Sequence, residues 1–170
     1  LANWPKIPEV ALQTARAWAK ARNGLKLPPI EFAAFEIAPN LLPMSMCYRR
    51  RPEGDYIYSL VGDELAELLL EDPRGTVVLH LASESERRAR YSVIDRAIDK
   101  GTPFWLATLS ELTDGKQISV GRLGLPATNG EREVLLMLYF LDQGSLPPGA
   151  KFATFAKWDN DRLDWLSNFS

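Results

Sequence analysis

Two hydrophobic spacings alternate along this chain. From about Glu9 to Arg22, Val10, Leu12, Ala15, Trp18 and Ala19 are spaced among Glu, Gln, Arg and Lys in the pattern of one helical face, with Pro8 ahead and Gly24 behind as start and stop signals. A second helix is predicted from Glu84 to Lys100. Ser83 and Glu86 form a capping-box pattern at its start, Ala89, Val93, Ile94, Ala97 and Ile98 line one face, and Gly101 is a natural stop. Between them, LKLPPIEFAAFEIAPNLLP carries Pro28, Pro29, Pro39 and Pro43, so it reads as an irregular connector with a short turn. Met44 to Arg49 and Asp55 to Val61 read as strands joined by the turn Arg50 to Gly54, and Asp63 to Leu70 as a short helix.

Asp114-Gly115 and Asn129-Gly130 are hairpin signals, because glycine and its partner tolerate the positive φ that tight turns need. Closed as two-residue turns, they predict three antiparallel strands from Pro103 to Leu141. The first turn pairs Trp105 with Gly124 and Ala107 with Arg122; the second pairs Arg122 with Met137 and Val120 with Tyr139. This register puts Trp105, Ala107 and Leu109 on the face of Arg122, Met137 and Tyr139, with Phe104 and Leu106 opposite. The last strand, Val134 to Leu141, reads VLLMLYFL with no polar interruption, so it belongs inside the sheet with both faces covered. The two long helices are the available covers, giving an α+β domain. Arg122 stands out on its apolar face: it must snorkel, pair with a carboxylate or meet an anionic ligand.

Composition narrows the chemistry. The 170 residues suit one domain with a substantial core. A net charge of −2 supplies no field to recruit nucleic acid or an anionic membrane, and no stretch approaches a membrane span. A chain beginning at Leu1 rather than Met is consistent with a trimmed terminus; without a secretory signal, a cytoplasmic location is expected. The lone Cys47 allows no internal disulfide and reads as a small strand hydrophobe. Catalytic triads and multi-histidine metal sites lack partners, since His80 is the one histidine; no nucleotide-cradling glycine loop occurs, and an enzyme is not expected. A small isomerase or dehydratase would need a buried acid facing a deep apolar pocket, and none can be located. Arg49-Arg50-Arg51 and Arg87-Arg88-Arg90 read as solvated surface. After Pro147-Pro148-Gly149, the tail carries Phe152, Phe155, Trp158, Leu163, Trp165, Leu166 and Phe169, which either dock on their own domain or offer an apolar surface to a partner.

Several segments resemble a PAS domain, specifically a bacterial single-PAS subfamily. These are LKLPPIEFAAFEIAPNLLP, DYIYSLVGDEL, GTPFW after the long helix and GRLGLPATNGEREV across the last hairpin, together spanning roughly Trp18 to Asp142. The chain departs from the pattern at Ser59, Asp63, Pro29 and Ile30, whereas Arg122 matches an arginine of it. The resemblance implies a five-stranded antiparallel sheet in order 2-1-5-4-3 with flanking helices. It divides the chain into an N-terminal helix and cap (1–27), a PAS-like domain (28–144) and an aromatic tail (145–170). It further implies a sensory module of signal transduction that binds a small ligand or a signalling protein, commonly as a homodimer through the N-terminal helix. The alternative is a ligand-free interaction module. The candidate ligand contacts are Arg122, Trp105, Tyr139, Met137, Tyr58 and His80. The cofactor is unknown: the light-sensing flavin motif is missing, and His80, the residue through which a haem would bind, reads instead as a structural or exposed histidine.

Overall fold

The two long helical periodicities of the sequence become the two covers of a single curved sheet in the computed structural model, which describes residues 6–154 and 162–169. Helix α1 spans Glu9–Ala21, with Pro8 at its N-cap. The proline-rich connector forms a short helix α2 (Phe32–Glu36) and a 3₁₀ turn (Pro39–Met44). Strands β1 (Ser45–Arg50) and β2 (Tyr56–Val61) follow, then the short helix α3 (Asp63–Leu68). Helix α4 covers Glu84–Lys100. Ser83 Oγ accepts from the Glu86 amide, the Glu86 carboxylate accepts from the Ser83 amide, and Gly101 ends the helix at φ 60°. Ala89, expected on the apolar face, is exposed; the buried stripe is Val93, Ile94, Ala97 and Ile98.

Strands β3 (Phe104–Leu112), β4 (Gln117–Thr128) and β5 (Glu133–Phe140) form the meander, and the order across the sheet runs β2-β1-β5-β4-β3. The unbroken apolar run lies in β5, between β1 and β4. The sheet has seven strands rather than five. The tail supplies β6 (Phe152–Thr154) and β7 (Leu163–Trp165), which both pair antiparallel with β3. The described tail residues therefore dock on their own domain. Phe152 and Leu166 are buried, Arg96 of α4 stacks over Trp165 at 4.3 Å, and Phe104 meets the same ring edge-on. Phe155 and Trp158 lie outside the described residues.

The β3–β4 register differs from the expected one by a single residue. The amide of Leu112 bonds the Lys116 carbonyl, so the loop is three residues, Thr113-Asp114-Gly115, with Gly115 at φ 86°. A one-residue slip turns a strand over. Leu106 therefore lies opposite Arg122 and Trp105 opposite Leu123, which moves Trp105 to the other face. The second hairpin slips by two residues and keeps its faces. Asn129 Oδ1 accepts from the amides of Glu131 and Arg132, which builds a four-residue loop and pairs Thr128 with Glu133.

Two cores result, one on each face. The inner core joins Val93, Ile94, Ala97 and Ile98 of α4 to Phe104, Leu106, Val120, Leu135 and Met137. The outer core joins Ala11, Ala15 and Trp18 of α1 to Trp105, Leu123, Leu125 and Leu136, with Trp18 Nε1 donating to the Pro126 carbonyl at 2.7 Å. Cys47 is buried on the outer side, where burial pushes its thiol pKa up.

A buried arginine among three tyrosines

The inner face of the sheet holds a polar centre inside an apolar core. Among the described residues, Arg122 is the one buried charged side chain, at 1% exposure. Its strand partner is Tyr139, and the guanidinium carbon lies 5.1 Å from the Tyr139 ring centre. That is stacking distance for a cation on an aromatic face. Tyr139 Oη lies 3.2 Å from Tyr48 Oη and donates more weakly toward Met46 Sδ at 3.9 Å. Tyr48 and Tyr58 meet edge to face, with ring centres 5.3 Å apart.

Backbone irregularity assembles this group. The β1–β2 ladder shifts between Cys47 and Tyr48, so that Cys47 faces Leu60 while Tyr48 faces Tyr58. Ser59 is the extra residue, and its hydroxyl donates to the Cys47 carbonyl at 3.1 Å. The bulge brings the two tyrosines opposite each other. Tyr56 completes the strand differently: its hydroxyl donates to Asp95 of α4 at 2.6 Å, and Arg50 bonds Asp95 and Asp99. This network fastens α4 to the β1–β2 end of the sheet.

Burial pushes the Tyr58 phenol up to about 12. It raises Tyr48 well above the ordinary tyrosine value, with Tyr139 and Tyr58 adding to the effect, and raises Tyr139 against the opposing pull of Arg122. None of the three phenols titrates near neutrality, so the centre is equipped to bind and orient rather than to exchange protons at physiological pH. Arg90, half-buried on α4, lies within the field of the same group: burial holds its guanidinium below its usual range, and Arg122 adds like-charge repulsion.

Of the six residues proposed from sequence, Arg122, Tyr139, Met137 and Tyr58 share this face and core. Trp105 does not: it is buried in the outer core. His80 is exposed in the turn that precedes α4. Tyr48, Met46 and Arg90 were missed. The first two depend on the bulge and on cross-strand register, and Arg90 belongs to an arginine run that reads as surface. Among the described residues, no group of His, Cys, Asp and Glu is arranged to hold a metal, and no helix is long and apolar enough to cross a membrane. No family model matches the chain, and no curated protein matches it.

Proposed function

We propose that this chain is a PAS-like regulatory module of bacterial signal transduction, cytoplasmic, which takes up a small ligand or a protein partner and passes the effect on through α1. The observation that carries this reading is the buried Arg122 set among Tyr48, Tyr58 and Tyr139 on the face covered by α4. A guanidinium in an apolar core is costly to bury, and a site that recognises a polar ligand group is one use that offsets the cost. The run β2-β1-β5-β4-β3 within the sheet supports the same reading, as does the placement of α1 over the opposite face. A signal reaching α1 requires a ligand that favours one state of the domain over another. The homodimer through α1 belongs to this proposal, and Val10 is the large apolar side chain the helix leaves exposed.

The ligand-free interaction module is favoured by a different observation. The aromatic rings fill the Arg122 neighbourhood with their own contacts, leaving the centre explicable as a structural cross-link between β1, β4 and β5. Mass spectrometry of small molecules released from the purified protein separates the two readings, with wild type compared against Arg122→Met. A compound released in stoichiometric amount by wild type and absent from the folded variant supports sensing. No compound from either protein, with cooperative unfolding of both, supports the module. Light scattering reads the oligomeric state on the same samples, and a monomer at all concentrations removes the dimer from the proposal.

A further inference from the structure

A second site lies at the end of β5, where Tyr139 of the arginine centre also reaches its wall, and its case does not depend on the regulatory reading. β1 begins at Ser45, opposite Leu138, so the residues of β5 beyond Leu138 have no β1 neighbour. The 3₁₀ turn Pro39–Met44 and Pro8, just ahead of α1, stand there instead and wall a cavity of about 510 Å³. That volume suits a small organic molecule. Trp105 and Phe140 form its aromatic side, with ring centres 5.6 Å apart, and Leu41 adds an aliphatic wall.

The polar groups on the wall give the ligand its sign. Among the described residues lining the cavity, Asp142 is the one that carries a charge. Its Oδ1 accepts from the Gly144 amide at 3.1 Å. Asn40 contributes an amide, and Ser119 a hydroxyl whose oxygen is buried with no hydrogen-bond partner among the described residues. Aromatic faces beside a carboxylate attract a cation and repel an anion.

We propose that this cleft binds a small organic cation, an amine carried on a flat apolar body. The ring packs on the side of the cleft formed by Phe140 and Leu41, and the ammonium faces Asp142. Because Pro8 is part of the wall, an occupant touches the start of α1 directly.

The test uses the full chain, labelled with ¹⁵N and assigned, titrated separately with benzylamine, benzyl alcohol and benzoate. Benzylamine is expected to give saturable shifts at the amides of Ser119, Phe140 and Asp142, with benzoate weaker by about tenfold or more. Asp142→Asn keeps an acceptor for the Gly144 amide and should weaken benzylamine by about two- to fivefold, as for a solvent-exposed ion pair. The same variant should leave benzyl alcohol unchanged. Equal binding of benzylamine and benzoate, shifts centred elsewhere, no saturation, or an Asp142→Asn protein that binds benzylamine as wild type does would each overturn the assignment.

Discussion

Replacing Gly121 with alanine tests the register on which both sites depend. The Trp105 indole lies flat across Gly121, and a Cβ built there would sit 2.3 Å from Cζ2 and 2.4 Å from Cη2. Carbon atoms in contact prefer about 3.5–4.0 Å, so the indole or the strand must retreat by more than about 1 Å. Trp105 is 2% exposed and packed against Phe140, which leaves it little freedom to move. Overpacking of this kind costs about 1–3 kcal/mol, offset by about 0.5–1 kcal/mol because alanine loses less backbone entropy than glycine on folding. A net destabilisation of about 1–2 kcal/mol is expected in urea unfolding followed by far-ultraviolet circular dichroism. Trp105→Phe shortens the offending ring system, so the double variant should lose less than the sum of the singles, with a coupling of about 1 kcal/mol. Gly124 is the discriminating control, because its missing Cβ faces Phe104 at 2.4 Å on the opposite side of the sheet. Gly124→Ala should couple to Phe104 and not to Trp105. Had the first hairpin closed on two residues, Trp105 would couple to Gly124 instead; that result, or a Gly121→Ala protein within about 0.5 kcal/mol of wild type, would refute the register.

Two further outcomes follow from the packing. All five tyrosines, Tyr48, Tyr56, Tyr58, Tyr91 and Tyr139, have phenol pKa values raised first of all by burial. The folded chain therefore keeps protons that the unfolded chain releases above about pH 10, so this contribution is intact below pH 10 and is lost as pH climbs through the raised values, about 12 for Tyr58. Tyrosinate absorbance should thus rise together with loss of circular dichroism, and two or more phenols ionising near pH 10 in a still-folded protein would contradict the buried cluster. Ser83→Ala removes the hydroxyl that accepts from the Glu86 amide, leaving the Ser83 amide to donate to the Glu86 carboxylate, and should cost about 1 kcal/mol, with hydrogen exchange accelerated first at Glu86; unchanged exchange there would show that the cap contributes nothing.

Much of this architecture is legible in the residues themselves. Local chemistry determines α1, α4 and the continuous strand β5: a 3.6-residue apolar period, a Ser83–Glu86 cap and eight apolar residues in a row leave few alternatives. The same patterns point to a sheet covered on both faces and single out Arg122 as anomalous on its face. Tertiary structure decided what those patterns leave degenerate. Asp-Gly serves in two-residue and in three-residue turns, and the difference of one residue moved Trp105 from the arginine's side of the sheet to the other. The bulge at Ser59 that brings Tyr48 opposite Tyr58 has no local signature, and neither does the edge of β3 onto which the described tail strands pair. Turn length, bulge position and edge pairing are set by the free energy of packing distant side chains together, which no window of neighbouring residues contains.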